Sequence, residues 1–170
     1  MIYNVFASEL ESRVAAALND IPSRCSSKSD VDWTNAVKSS VAGAIHGQGL
    51  AIHTNCAQIQ DAKQKEWIYD LCAIEKNEKG HLLSVKLVLE SEWSNNRKER
   101  QWDFQKLLIA RAELRVFVTQ ARTAAAATAA LEQCQAEVVQ SSVSLRGDRF
   151  IVCIWENLKN QMHIHVVEKE

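Results

Sequence analysis

Proline appears once in the 170 residues, at Pro22, and no Pro-, Gly- or Ser-rich linker or internal repeat divides the chain. The length therefore suits one domain with a sizeable core. Paired cysteines are also lacking. Cys25, Cys56, Cys72, Cys134 and Cys153 are odd in number and form no CxxC pair, which argues against a disulfide framework or a zinc ribbon. Most sit among apolar neighbours and read as small buried hydrophobes. No long apolar run exists. The longest stretch free of Asp, Glu, Lys and Arg, Ser39 to Gln60, contains His46, Gln48, His53, Asn55 and Gln58, so it is no membrane span. The first residues show no basic region followed by an apolar one, so no secretory signal is read. A reducing, cytoplasmic setting is expected. Charge of one sign is missing too: 20 Lys and Arg balance 21 Asp and Glu, a net charge of −1. Proteins that grip nucleic acid with a whole face are usually basic, so any such surface here must be local.

What is present is ordinary globular material, 46% hydrophobic and 24% charged. Phe6, Leu10, Val14, Ala17, Leu18 and Ile21 recur at helical spacing and stop at Pro22. A polar loop over 22–30 follows. Asp30 or Asp32 is placed to cap a helix with Trp33, Val37, Val41 and Ile45 on one stripe, ending near Gly47. Leu50–Thr54 reads as a short strand. Trp67–Lys76 and His81–Glu92 read as two longer ones, joined by Asn77-Glu78-Lys79-Gly80 as a turn. Apolar residues occupy both parities of these strands, so both sheet faces should be covered. A helix from about Glu99 to Ala112, a strand Arg115–Thr119, an alanine-rich helix Ala121–Gln140 and strands Phe150–Trp155 and Met162–Val167 complete the chain. The expected order is α-α-β-β-β-α-β-α-β-β, a single α/β domain with a mixed sheet.

The central hairpin carries the chemistry. Centred on Gly80, it sets Asp70 opposite Glu90, Cys72 opposite Val88 and Ile74 opposite Lys86. Glu92 shares the face of Glu90, because side chains alternate along a strand. Opposed like charges are destabilising, so a proton or a cation must relieve them. Mg²⁺ is often held by one or two carboxylates plus substrate phosphate, and a bound cation lowers the pKa of an attacking water. The arrangement suits metal-assisted phosphodiester hydrolysis. The plainer alternative is a solvated, acidic strand end.

Asp70, then Glu90-Ser91-Glu92 at a strand end, then a helix, then Arg115-Val116-Phe117-Val118, resembles the PD-(D/E)xK nuclease superfamily, the restriction-endonuclease-like fold. The likeness covers the α-β-β-β-α-β run from Asp32 to Thr119, a nuclease-like core at about 30–120, with 121–170 as a helix and hairpin extension. It implies a Mg²⁺- or Mn²⁺-dependent nuclease with Asp70 and Glu90 as metal ligands. Glu92 stands where the family's catalytic Lys usually lies, which makes this an E-x-E variant. Tyr69 replaces the family's proline. Several branches place a Gln or Lys of the following helix at the active site. Gln105, expected in the middle of an apolar face of Trp102, Leu108, Ile109 and Ala112, matches that place, and Lys106 at its margin could substitute for the missing strand Lys. Ile109 leaves one branch's Q-x-x-x-Y pattern incomplete.

Trp93, Asn95, Asn96, Arg97, Lys98 and Arg100 follow the acids directly and combine stacking with phosphate-binding chemistry. Arg111, Arg115 and Arg122 could extend a basic rim. Lys86 shares the predicted face of Glu90, although a solvent-directed head is the simpler reading. His163 and His165 share a strand face but lack a third zinc ligand. The expected partner is nucleic acid, with DNA first, and a homodimer if both strands are cut. The alternatives are a catalytically silent nuclease-like domain acting as a binding module, and an α/β interaction protein unrelated to nucleic acid.

Overall fold

A computed structural model describes residues 2–3, 6–25, 29–59, 61–65 and 67–170. The strands are β1 (Ile2–Tyr3), β2 (Ala51–Thr54), β3 (Lys63–Gln64), β4 (Leu71–Lys76), β5 (Leu82–Glu92), β6 (Leu114–Ala121), β7 (Arg149–Glu156) and β8 (Gln161–Glu168). The helices are α1 (Glu9–Asn19), α2 (Ile21–Arg24), α3 (Asp30–Ile45), α4 (Arg97–Leu108) and α5 (Ala124–Gln140). One mixed sheet runs β1-β8-β7-β6-β5-β4-β2-β3. Strands β5, β6 and β7 are parallel, joined by α4 and α5, while β4 pairs antiparallel with both β2 and β5. Parallel neighbours need such helical crossovers.

Helices cover both faces, as the strand patterning predicts. Leu87 and Leu89 of β5, Val116 and Val118 of β6, and Ile151 and Cys153 of β7 pack toward α1 and α3. The alternate residues Val88, Phe117, Phe150, Val152 and Ile154 pack toward α4 and α5. On α3 the stripe is as expected, with Val37, Val41 and Ile45 buried and Trp33 packed at its edge. Gly47, just beyond the end of α3, takes φ +79°, a value that glycine reaches without strain. On α5 the alanines at 127 and 130 allow close approach to the sheet, and Thr123 caps the helix by accepting from the Ala126 N–H.

Three differences from the sequence reading have local causes. The first helix stops at Asn19, and Pro22 lies in the first turn of the separate helix α2, where its missing N–H breaks no bond. Residues 67–70 bend rather than extend β4, which begins at Leu71. Helix α4 runs from Arg97 to Leu108, two residues earlier at its start and four shorter at its end than expected. Asn96 starts it by accepting from the Lys98 N–H. Among the described residues no helix is long and apolar enough to cross a membrane.

Candidate active site at the open end of the central hairpin

The β4–β5 turn closes with the Gly80 N–H donating to the Asn77 carbonyl at 2.8 Å, and Gly80 takes φ +81°. At the open end the register is the expected one: Leu71 pairs with Leu89 and Cys72 with Val88. Asp70, immediately before β4, therefore lies near Glu90 along the strands, but its carboxylate turns to Ser91 on the α3 side instead of sharing the face of Glu90 as expected, because residues 67–70 bend away from the strand. Nearer the turn the expectation fails, because Ile74 pairs with Val85 and Lys76 with Leu82. Two bulges, at Lys86 and Leu83, each add a residue to β5 and shift the pairing. Lys86 lies far from the acids in consequence. It pairs with Glu113 at 2.6 Å and Glu75 at 3.2 Å.

Asp70 is held from the α3 side of the sheet. Its Oδ2 accepts from the Ser91 N–H at 2.8 Å and the Ser91 hydroxyl at 2.6 Å. Its Oδ1 lies 3.6 Å from the Lys38 ammonium, which is itself 3% exposed and donates to Asn55 Oδ1 at 2.7 Å. Thr54 donates its hydroxyl to the Asp70 carbonyl at 2.8 Å, tying the bend to β2.

Glu90 lies on the α4 side and is only 3% exposed. Its Oε2 accepts from the Lys106 ammonium at 2.7 Å, while its Oε1 finds no hydrogen-bond partner among the described residues. Burial pushes its carboxyl up to about 8, with the Asp70 and Asp103 charges adding to the rise and the Lys106 bond opposing it. Lys106 is shared with Asp103 at 2.8 Å. Burial lowers this ammonium, but the bonds to Asp103 and Glu90 outweigh it and the net shift is upward. Glu92 accepts from the Ser94 N–H at 2.6 Å. Burial pushes its carboxyl up, with the nearby Asp103 adding to the rise and the Ser94 bond opposing it. The result is a row of charged groups from Lys38 through Asp70, Glu90, Lys106 and Asp103 to Glu92, with the two lysines each set beside acids.

Among the described residues no three His, Cys, Asp or Glu side chains gather closely enough to hold one ion. Asp70, Glu90 and Glu92 thus do not form a three-carboxylate cage. A hard cation of the Mg²⁺ type needs only one or two carboxylates, and Asp70 and Glu90 are the candidates for it, although they are held from opposite sides of the sheet. Glu90 Oε1, buried and without a partner among the described residues, is the atom such a cation would satisfy, since a buried carboxylate oxygen without a partner is costly.

Gln105 does not face the acids. It lies on the exposed side of α4 and donates to Glu137 Oε2 at 3.1 Å. Because α4 stops at Leu108, its buried face is Phe104, Leu107 and Leu108, leaving Trp102 72% and Ile109 66% exposed. That rotation brings Lys106, not Gln105, to Glu90. Trp93 is buried, its indole N–H donating to Thr34 at 2.8 Å, so it presents no face to a base. Asn95, Asn96, Arg97 and Lys98 are exposed as expected, and Arg100 partly so. Asn96 and Arg100 are partly engaged within the segment, with Glu99 and the Ser94 carbonyl. Arg111 and Arg122 are exposed, whereas Arg115 is buried against the Ala110 carbonyl and Asp148 and adds nothing to a rim. His163 bonds Glu156 at 2.9 Å.

Sequence reasoning missed Lys38, Asn55, Ser91 and Asp103. Lys38 left a usable signal, since it interrupts the buried stripe of α3 between Val37 and Val41. Asp103 left another, three residues before Lys106 and so on the same side of α4. No protein-family model, curated protein or solved structure matches this chain.

Proposed function

We propose that the protein is a Mg²⁺- or Mn²⁺-dependent nuclease of the PD-(D/E)xK kind, with a restriction-endonuclease-like core over about 30–120. The observation that carries this reading is the buried Glu90 carboxyl, bonded to Lys106 through one oxygen and open at the other, near Asp70 along the strands. The element order supports it as well. Helix α3, strands β2, β4 and β5, helix α4 and strand β6 follow one another, with only the two-residue β3 inserted, and the acids stand at the start of β4 and the end of β5.

Asp70 and Glu90 would hold the cation, which when bound supplies a polarised phosphate and a more acidic water. Ser91 and Lys38 keep the Asp70 carboxylate fixed. Lys106 places a positive charge at Glu90 from the helix, the role left open by Glu92 on the strand. That charge can move toward a phosphate oxygen as negative charge builds there. Gln105 takes no part. Five free cysteines, four of them buried, suit the reducing cytoplasm expected from the sequence.

Cleavage of labelled DNA and RNA with Mg²⁺, Mn²⁺ or EDTA tests the reading. The wild type should cut only with metal, and Glu90→Ala should abolish both cutting and Mn²⁺ binding. Metal binding without any cutting would contradict it.

One observation favours a second reading. Lys106 already neutralises Glu90, and Glu92 turns to Ser94 and Asp103, which is how a silent nuclease-like binding module would be arranged. Nucleic acid retained in EDTA and never cut with metal would select that reading.

A further inference from the structure

The five tryptophans divide sharply. Trp33, Trp93 and Trp155 pack together over the α3 face, with ring centroids 5.7 Å (Trp33–Trp93) and 5.1 Å (Trp33–Trp155) apart. The other two are exposed, Trp67 by 45% and Trp102 by 72%. Both exposed rings border the acids. Trp102 adjoins Asp103, and with Glu92, Asn96, Lys98, Glu99 and Asp103 it lines an open groove in which Lys98 is the one basic side chain. Lys98 lies one helical turn before Trp102, on the same side of α4. Trp67 is three residues before Asp70 and stacks on His53, with ring centroids 4.7 Å apart. His53 pairs with Cys72, which pairs with Val88, so all three share the α4 face of the sheet with Glu90. Across the sheet the order is therefore Trp102 on α4, Glu90 on β5, Asp70 at β4, and Trp67 over β2.

Aromatic platforms of this kind suit bases whose faces are free, and a duplex buries those faces. We propose that Trp102 and Trp67 are stacking platforms flanking the Glu90 site and that the substrate is single-stranded nucleic acid. Lys98 contacts its phosphate beside Trp102. This inference rests on the nuclease reading for its site and goes beyond it in naming the substrate class.

The test measures anisotropy of labelled oligo(dT) and of a blunt DNA hairpin duplex, in Ca²⁺ so that binding is read without turnover, together with cleavage of both in Mg²⁺. Wild type should bind and cut oligo(dT) in preference to the duplex. Trp102→Ala and Trp67→Ala should each weaken oligo(dT) binding about 10-fold, the usual loss for one stacked base, and leave duplex binding unchanged. Trp102→Phe should restore most of the loss, which a merely steric or folding defect would not allow. Unaltered oligo(dT) binding by both alanine variants would overturn the proposal. So would a wild type that cuts the duplex and leaves the single strand intact, while sparing the nuclease reading. Absence of both cutting and binding by the wild type would overturn the two together.

Discussion

The two ends of one hairpin carry the same residue types and behave differently. At the turn end, Glu75, Lys86 and Glu113 form an ion cluster whose side chains are 43%, 27% and 56% exposed. Hydrogen bonds from Ser84 and Lys86 hold the Glu75 carboxyl below its usual range. At the open end, Glu90, Lys106 and Asp103 form a similar cluster, but Glu90 lies beneath α4 and its carboxyl rises to about 8. Each glutamate has a lysine partner, and burial is the largest cause of the difference, with the Ser84 bond at Glu75 and the Asp70 charge at Glu90 widening it. In water a lysine beside a glutamate favours the charged form, whereas under a helix the loss of hydration outweighs the lysine. The same pairing is thus a surface detail at one end and a poised, proton-holding group at the other.

The largest effect expected from this contrast is in the pH dependence of stability. The folded-state pKa of Glu90 lies above its unfolded value of 4.5, so its contribution is fully present below pH 4.5 and is lost as pH rises to about 8. The total is on the order of 5 kcal/mol. Urea unfolding of wild type and Glu90→Gln from pH 5 to 9 should show the wild type losing stability relative to the variant. Parallel pH profiles would break the comparison.

Next in size is Lys106→Met. It leaves a buried carboxylate facing only like charges and should cost roughly 2–3 kcal/mol at pH 9, less than for a fully buried pair because Lys106 keeps contact with water. On the proposed nuclease function, the same variant should lower kcat for metal-dependent cutting about 10²–10³-fold, the loss typical of a group that stabilises transition-state charge. The smallest effect sharpens the contrast from the other side. Lys86→Met, at the exposed cluster, should change stability by less than about 0.5 kcal/mol and leave cutting intact.

The strands were the readily legible part of the fold. Runs of β-branched and aromatic residues and the Asn77–Gly80 turn marked β4 and β5 and brought Asp70 near Glu90 along the strands. The Gly80 centre succeeded at the acids because two bulges offset a turn that is really centred near Lys79, between Lys76 and Leu82. Bulges leave no clear mark on a pattern that is apolar at both parities, so the misplaced Lys86 was not legible. The orientation of α4 was lost for a different reason. Its face depends on where it ends, and including Ile109 and Ala112 rotated the expected stripe toward Trp102 and Gln105 and away from Phe104. A tryptophan is counted as core by any hydropathy pattern, and that concealed the exchange of roles between buried Trp93 and exposed Trp102. Lys38 was missed because a lone lysine in an apolar stripe reads as a marginal, solvent-directed side chain, whereas here Asp70 and Asn55 receive it below the surface.

The central claim is that burial beneath α4 raises the Glu90 carboxyl to about 8 and leaves one of its oxygens without a partner, the oxygen a metal is proposed to take. Carbon-13 NMR of glutamate carboxyls, titrated with and without Mg²⁺, tests it directly. One resonance, absent in Glu90→Gln, should titrate near pH 8 without metal and fall to lower pH when Mg²⁺ is added. A Glu90 signal that titrates in the ordinary carboxylate range and does not respond to Mg²⁺ would contradict the account.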